Sequence, residues 1–516
     1  MIKLISVKFS NIRSLLNTDY IDLKPLTILV GKNSVGKSTF ARTFPLLRQS
    51  SEANKKSPLL WYGKYVDFGD YDTAINKNNK NEGIDLGFKF KFNPVELINI
   101  FDESYTLRSQ FGYSIHEVLS NAKKSIELEA KLNFHKNKDH SYNYKIDISF
   151  LKYKIKIIIE NSKIEIFLNN KKYNLNDDKI YKVSQQKLFP SIELDHTNIN
   201  PNRYKNYFSF FHRLNFSNSI KDQFKKNITD YFERDINEEE YNKLYSNSFY
   251  KILERINKKT KLISYPDDLN EEYMDIIEDI FIISKISEIL NFIDESLADY
   301  FNGVQYLEPL RATAQRYYRK QEFAINEVDS KGSNIAMFMA ENHQHKILKQ
   351  LIKKHFNLEF VTDSNDGGHI TLNLLTNHET GEKINLADLG VGYSQLLPVI
   401  LQLWNAAYNQ SKKSTQCLVV EQPELHLHPA YQAKIADITA DIIRDLERRK
   451  INQNFIFETH SPHLISRLGE LIEDKRISKD SVQILIFDND LNKTTISKAT
   501  FNEEGVLQNW PFGFFH

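Results

Sequence analysis

Apolar residues in the first third of the chain follow the short periods of β-strands. Residues 26–30 form a continuous apolar run, which is typical of a strand buried on both faces. Other segments alternate apolar and polar residues with a period of two, as in a strand with one buried face. On these grounds the predicted strands are 2–9, 20–23, 26–30, 84–90, 125–130 and 152–157.

The rest of the chain mixes helical and strand patterns. Residues 203–300 are aromatic-rich, as in 207–212, and lack a sustained heptad repeat, so we expect helices but no long coiled coil. Residues 304–311 predict a strand that ends in a turn, and residues 396–401 predict an apolar helix. Two further buried strands are predicted within residues 418–424 and 454–463.

These elements predict an α/β fold in which a large α+β insertion splits one domain into two halves. We expect the N-terminal half at residues 1–92, the insertion at 93–300, the C-terminal half at 301–465 and a short C-terminal region at 466–516. The helix that follows residues 26–39 is expected to falter near Pro45, because proline removes a backbone donor and crowds the preceding turn.

The chemistry of the N-terminal half is concentrated in residues 31–39, which follow a predicted strand and precede a predicted helix. They match G-x-x-x-x-G-K-[ST], the pattern of a phosphate-binding loop, although a glycine-rich structural turn is the alternative. Glycines let successive N–H groups surround an anion, and the helix start adds partial positive charge. Lys37 can reach the β- and γ-phosphates, and Ser38 can bind Mg²⁺. The residues expected to hold a nucleotide are Gly31, Asn33, Ser34, Gly36, Lys37, Ser38 and Thr39.

The C-terminal half offers an acidic strand end. Glu421 is predicted to hold Mg²⁺ beside Ser38, and a solvated strand end is the alternative. The next residue, Gln422, stands where many related sites have a glutamate that activates water. An amide orients water but does not accept its proton, so hydrolysis is expected to be slow. Glu424 is the alternative catalytic base.

Histidines follow both buried strands. His460 is predicted to contact the γ-phosphate or the attacking water, and a purely structural histidine is the alternative. His426 and His428 are assigned to the turn after the acidic strand, because their spacing is not that of a helical zinc pair.

A second glycine-rich helix start lies at residues 388–395, after the phosphate loop and before the acidic strand. Ser394 is predicted as the N-cap of the helix, which would create a further site receptive to anions. Gly392, Ser394 and Gln395 are therefore additional candidate contacts of the nucleotide.

Composition limits the range of functions. The net charge of +1 gives no overall attraction to nucleic acid or membrane, so any DNA-binding surface must be local. Lys152, Lys154 and Lys156 share one predicted strand face, which could contact phosphates but is more commonly a solvated face. Cys417 is the single cysteine, lies in an apolar run and is expected in the core. We find no membrane span or signal peptide and expect a cytoplasmic protein.

The order of these motifs resembles that of ABC-type ATPase heads, and in particular the SMC/RecF/OLD branch. The similar segments are residues 9–14 with 25–39, then 421–429 and 458–464. The match is closest to stand-alone bacterial AAA-family ATPases with a short C-terminal domain of unknown function, in which an ending like residues 509–515 recurs. The resemblance implies an ABC/SMC-like P-loop ATPase head that uses ATP and Mg²⁺.

The resemblance also implies partners. Two heads are expected to form a head-to-tail homodimer, or a higher oligomer, in which each phosphate loop faces Ser394 of the other subunit. Related ATPases act in DNA repair or anti-phage defence, often with a nuclease. The sequence after His460 is too short for the TOPRIM nuclease of OLD proteins, so any nuclease is expected to act in trans.

The motifs and the resemblance are compatible with three functions. The first is a slowly hydrolysing ATP switch that controls an effector, expected to be a nuclease, in prokaryotic anti-phage defence. The second is a RecF-like DNA-binding ATPase of DNA repair, with a basic surface in residues 93–300. The third is a scaffold that binds ATP with little hydrolysis.

Overall fold

A computed structural model describes residues 2–93, 96, 125–161, 163–173, 181–184, 187–194, 279, 282–283, 285–320, 325–365, 367–377, 379–409, 415–490 and 493–511. Its strands are β1 (Lys3–Ile12), β2 (Leu15–Asn17), β3 (Ile21–Asp22), β4 (Leu26–Gly31), β5 (Ile84–Phe92), β6 (Ile126–Lys136), β7 (Tyr142–Phe150), β8 (Tyr153–Glu160), β9 (Lys163–Leu168), β10 (Lys171–Tyr173), β11 (Tyr181–Ser184), β12 (Ser191–Leu194), β13 (Val304–Leu307), β14 (Tyr318–Arg319), β15 (Phe360–Asn365), β16 (His369–Leu375), β17 (Lys383–Asn385), β18 (Cys417–Glu421), β19 (Asn454–Glu458), β20 (Val482–Asp490), β21 (Lys493–Phe501) and β22 (Leu507–Gln508). Its helices are α1 (Lys37–Glu52), α2 (Tyr71–Ala74), α3 (Ile286–Asn302), α4 (Ile335–Asn342), α5 (Lys346–Phe356), α6 (Val391–Tyr408), α7 (Pro429–Arg448) and α8 (Pro462–Glu473).

A seven-stranded sheet lies at the centre, in the order β13-β18-β19-β4-β20-β21-β22. The first five strands of that order are parallel, and every residue of β4, β18 and β19 is buried. Helix α1 packs on one face with Leu29 and Val419, whereas α6, α7 and α8 pack on the other with Ile28 and Val420. Burial on both faces explains the continuous apolar runs and confirms the α/β class.

A second, antiparallel sheet has the order β10-β9-β8-β7-β6-β5-β1-β2, with β3 beside β1. Buried and more exposed residues alternate along β8, as the period of two predicts. Lys154 and Lys156 lie on the polar face, and Lys152 lies in the turn before β8. Asp147 stands opposite Lys156 on β7. The face therefore carries both signs of charge and is not a purely basic stripe.

Helix α1 does not falter at Pro45, contrary to the sequence-based expectation. The helix runs from Lys37 to Glu52 with Pro45 inside it. Phe40 and Phe44 are fully buried, and their rings contact each other and the ring of Phe9. Burial of this apolar face offsets the loss of one backbone hydrogen bond, which costs about 3 kcal/mol in a helix interior.

Strands from different predicted segments of the chain lie in the same sheets. Strands β6–β10, from the expected insertion, extend the sheet that begins with β1 and β5. Strand β20, from the expected short C-terminal region, pairs in parallel with β4 beside the phosphate loop. The helices expected in residues 203–300 are described for α3, whereas residues 207–212 lie outside the described part, as do 512–515 of the terminal motif. None of the described helices is long and apolar enough to cross a membrane.

Asp294 connects α3 to the loop before β12. Its Oδ1 accepts hydrogen bonds from the backbone N–H groups of Leu188 and Phe189, at 2.8 and 3.1 Å, in a buried environment. Asp294→Ala leaves both donors unsatisfied, and we expect it to lower the free energy of unfolding by about 2 kcal/mol. Chemical denaturation monitored by circular dichroism measures this change. Asp299→Ala, on the exposed side of the same helix, is the matched control. Equal effects of the two substitutions would contradict the assigned role.

Candidate functional site

The phosphate loop leaves the carboxyl end of β4 and enters α1. Gly31 and Gly36 have φ angles of 147° and 108°, which favour glycine. A Cβ at Gly31 would come within 2.2 Å of the carbonyl oxygen of Phe487, and one at Gly36 within 2.9 Å of Ser14 Oγ. Both glycines are thus required by the backbone. Lys32, Asn33 and Ser34 form the exposed crest of the loop.

Lys37 and Ser38 begin α1. The buried Lys37 Nζ donates hydrogen bonds to the carbonyl oxygens of Gly31 and Lys32, at 2.9 and 2.6 Å. Burial lowers the pKa of Lys37, and the nearby carboxylate of Glu458 opposes this shift. Thr39 is half-buried beside them, and its carbonyl oxygen accepts from Thr43 Oγ1 at 2.8 Å. The Lys37 ammonium group thus lies inside the curve of the loop, the position expected for a lysine that reaches the phosphates.

Glu458 is the carboxylate that touches the phosphate loop. Strand β19 lies between β4 and β18, so the side chain at its end comes next to α1. Ser38 Oγ donates a hydrogen bond to Glu458 Oε1 at 2.9 Å, and Lys37 Nζ lies 3.9 Å from the same oxygen. Burial, followed by the charge of Glu421, raises the pKa of Glu458 to about 7. The sequence analysis included Glu458 in a predicted strand but did not assign it a role in the site.

Glu421 is paired with Glu458 in the register of β18 and β19 but has different partners. Its Oε1 accepts from Arg42 Nε and from the Tyr306 hydroxyl, both at 2.7 Å, and its Oε2 accepts from Arg42 Nη2 at 2.8 Å. The hydrogen bond with Glu421 raises the pKa of Arg42, and burial raises the pKa of Tyr306. Glu421 therefore joins α1, β13 and β18. Its predicted role as a metal ligand stays a prediction.

The turn after β18 is held by backbone contacts. Gln422 has a left-handed φ of 46°, and its N–H donates to the carbonyl oxygen of Glu458 at 2.7 Å. Arg311 Nη2 donates to the carbonyl oxygens of Glu421 and Gln422, at 2.9 and 3.1 Å. Arg311 is buried, and its burial lowers its pKa to about 10. The turn is therefore fixed from two neighbouring elements.

His460 and Glu424 meet across this edge of the sheet. The backbone N–H of His460 donates to Glu424 Oε1 at 2.7 Å, and burial raises the pKa of Glu424. The His460 side chain stays exposed, and its pKa is lowered by partial burial and by the charge of Lys37. The histidine therefore lies within electrostatic range of the phosphate loop.

The second helix start differs from the prediction in one respect. Helix α6 begins at Val391 with Gly390 as its N-cap, so the prediction that Ser394 caps it is wrong. Ser394 lies inside the first turn, is buried, and donates from Oγ to the carbonyl oxygen of Val391 at 2.8 Å. Gln395 is also buried and donates to the carbonyl oxygen of Arg311 at 3.3 Å. The exposed residues of this helix start are Gly390 and Val391, with the half-buried Gly392 following.

The remaining candidate residues have structural positions. His426 and His428 lie in the turn after β18, as predicted, and His428 Nδ1 caps α7 by accepting from Ala430 N at 3.3 Å. Within the described residues no group of three or more His, Cys, Asp and Glu side chains is arranged to hold a metal ion. Cys417 is buried in the core, and burial raises its thiol pKa to about 12.

The structure brings most of the predicted residues to one edge of the central sheet. Because β4, β18 and β19 are parallel, their carboxyl ends meet there. The sequence-based prediction missed three further side chains of this edge, Arg42, Tyr306 and Arg311, and the role of Glu458. Arg42 follows Ser38 by four residues on α1, a spacing that puts both on one helix face and could have indicated it.

Comparison with known proteins gives a family match over most of the chain. Two solved structures are similar at low identity. One is the Smc head domain with an extended coiled coil bound to the C-terminal domain of ScpA from Pyrococcus furiosus, at 11% identity and a TM-score of 0.34, covering 97% of each chain. The other is the SMC head domain from Thermotoga maritima, at 8% identity and a TM-score of 0.35, covering 96% of this chain and 98% of that one. No curated protein matches the sequence. The model of the AAA ATPase domain family matches residues 1–465. The chain therefore belongs to the AAA ATPase domain family.

Proposed function

We propose that this protein is a slow ATPase that acts as a switch by closing with a second copy of itself. The observation that carries the proposal is the grouping of Lys37, Ser38, Glu458 and His460 at one edge of the sheet. The loop and Lys37 would bind the phosphates of ATP. Ser38 and a neighbouring carboxylate would hold Mg²⁺, which neutralises charge on the phosphates when bound. Saturable binding of Mg²⁺-ATP with slow phosphate release is the expected result for purified protein.

The slow rate is inferred from Gln422. Its side chain stands after the acidic strand, in a turn fixed by Glu458 and Arg311. An amide can orient a water molecule by hydrogen bonding but does not take its proton. A switch that stays loaded with ATP for long periods is consistent with such a site.

Gln422→Glu is expected to raise the turnover number about tenfold, because a carboxylate at this place can accept the proton of the attacking water. Phosphate release at saturating Mg²⁺-ATP measures the effect. Gln344→Glu, an equal change of charge at an exposed position between α4 and α5, is the control. An unchanged or lower rate would place the base elsewhere, with Glu424 as the next candidate.

Dimerisation is inferred from the incomplete site. Within the described residues, one chain carries a single phosphate loop and a single copy of the exposed helix start at Gly390 and Val391. A head-to-tail pair would bring each loop to the helix start of the partner and enclose two nucleotides. ATP would favour this closed pair because it contacts both copies, which gives it higher affinity for the closed state. The proposed ATPase therefore binds Mg²⁺, ATP and a second copy of the chain.

The effector is proposed to be a separate protein, a nuclease of an anti-phage defence system. Support comes from the resemblance of the motifs to stand-alone defence ATPases. The test is to co-express the chain with the products of its neighbouring genes and to purify it in ATP and in ADP. Co-purification of a nuclease that depends on the bound nucleotide is the expected result.

DNA binding is the less favoured alternative. The polar face of the large sheet carries Lys154 and Lys156, yet Asp147 lies opposite Lys156 and Glu165 pairs with Lys172 at 2.5 Å. Carboxylates among lysines weaken attraction to a polyanion. DNA affinity that falls steeply with salt concentration would favour the repair function instead.

A further inference from the structure

We infer that Thr494 is a positioning residue of the nucleotide site, because its hydroxyl group fixes the phosphate loop in the form that binds phosphate. This inference rests on the proposed ATPase function and adds a residue that determines the nucleotide affinity of that site. In the sequence-based division of the chain, residue 494 belongs to the short C-terminal region outside both halves of the head and has no role. Three observations place it in the site.

The first observation is the position of strands β20 and β21 beside the phosphate loop. Strand β20 pairs in parallel with β4, and Phe487 stands opposite Gly31 at the start of the loop. Strand β21 returns antiparallel to β20, with Thr494 opposite Asn489. Since Asn489 comes after Phe487 in β20, Thr494 lies beyond the end of β4 and level with the loop. The C-terminal strands therefore form one wall of the phosphate loop.

The second observation is the set of contacts that the buried Thr494 side chain makes. Its hydroxyl donates one shared proton to the carbonyl oxygens of Ser14 and Val35, at 2.9 and 3.0 Å. Ser14 belongs to the turn between β1 and β2, and Val35 belongs to the phosphate loop. The methyl carbon of Thr494 lies 3.5 Å from the place that a Cβ would take at Gly36. One side chain thus joins β21, the phosphate loop and the first turn of the chain.

The third observation is the geometry of the peptide bond between Val35 and Gly36. This bond is planar and trans, so its C=O and N–H groups point in opposite directions. Thr494 holds the carbonyl oxygen on the outer side of the loop, whereas the Lys37 ammonium group lies on the inner side. The Gly36 N–H is therefore directed inward, where the phosphates of ATP would lie. Gly36 has a φ of 108° and is free to let this peptide rotate, so without the hydroxyl the N–H would point away in part of the molecules.

The test compares Thr494→Val, which keeps the shape of the side chain and removes the hydroxyl, with Thr494→Ser, which keeps the hydroxyl. We expect Thr494→Val to weaken the binding of ATP and of ADP about tenfold, the effect of one hydrogen bond of ordinary strength. Thr494→Ser should bind both nucleotides within about threefold of the unsubstituted protein, because its hydrogen bond persists. Calorimetric titration with ADP and with a non-hydrolysable ATP analogue, each with Mg²⁺, measures the affinities. Thr495→Val, the same change at the exposed neighbouring position of β21, is the control.

Kinetics separate a positioning role from a general loss of stability. The loop would hold the phosphates equally in bound ATP and in the transition state, so Thr494→Val should raise KM about tenfold and change kcat less than about threefold. Circular dichroism checks that each variant folds, and Thr494→Ala replaces Thr494→Val if the latter does not fold. Affinities that are unchanged without the hydroxyl, or that fall equally in Thr494→Ser, would overturn the inference, as would a loss confined to kcat. Failure of the unsubstituted protein to bind ATP would overturn the proposed function itself.

Discussion

Lys37→Ala is expected to lower ATP turnover by at least about 100-fold and to weaken ATP binding. The Lys37 ammonium group is buried and lies inside the loop, held by the carbonyl oxygens of Gly31 and Lys32. In that position it is the positive charge closest to where the β- and γ-phosphates would lie. Alanine removes this charge and leaves the phosphates with the backbone N–H groups of the loop and the Mg²⁺ ion. Calorimetric titration with a non-hydrolysable ATP analogue and phosphate release measure the two effects.

Lys32→Ala is the matched control, because Lys32 belongs to the same loop but its side chain is exposed. Lys32 accepts the hydrogen bond from Lys37 Nζ through its backbone carbonyl oxygen, which the substitution keeps. We expect affinity and turnover within about threefold of the unsubstituted protein, as for most surface changes. Equal losses in both variants would mean that the total positive charge of the loop, and not the position of Lys37, determines ATP binding and turnover. Turnover that survives in Lys37→Ala would contradict the proposed ATPase site.

Features that depend on neighbouring residues could be predicted from the sequence. The phosphate loop needs a buried strand, two glycines and a helix start, all within residues 26–40, and the structure has them in that arrangement. The acidic strand end at Glu421 and the histidine after β19 are equally local. Pro45 shows the limit of such rules, because the burial of Phe40 and Phe44 comes from distant parts of the chain.

Features that depend on strand order could not be predicted in the same way. Glu421 precedes Glu458 along the chain, but in the sheet β19 lies between β18 and the phosphate-loop strand. The nearest carboxylate to Ser38 is therefore the later one, and no local pattern indicates this. The helix start at Gly390 is a similar case. Serine is the better N-cap by intrinsic preference, yet Ser394 is buried in the first turn, where its hydroxyl is satisfied by Val391.

Gly390→Arg is expected to abolish ATP-dependent dimerisation and to lower turnover at least about 50-fold, while ATP binding to the single chain persists. A Cβ added at Gly390 meets no atom within 4 Å, so the chain itself accommodates a side chain there. In a head-to-tail pair, the arginine would project from the exposed start of α6 toward the loop of the partner. Light scattering in ATP and in ADP measures the dimer. Ile451→Arg, before β19 and thus at the opposite edge of the sheet, is the control.

Mixing the two inactive variants separates a shared site from a site within one chain. A dimer of Lys37→Ala with Gly390→Arg has one composite site that combines an intact loop with an intact helix start, and one site that lacks both. Gly390→Arg chains do not pair with one another, so active sites arise only in mixed dimers, each with one of two sites active, and turnover should rise clearly above that of either variant alone. Turnover that stays at the level of the separate variants would show that Gly390 does not complete the partner's site. In that case the loop and the helix start would act within one chain, and the head-to-tail arrangement would have to be given up.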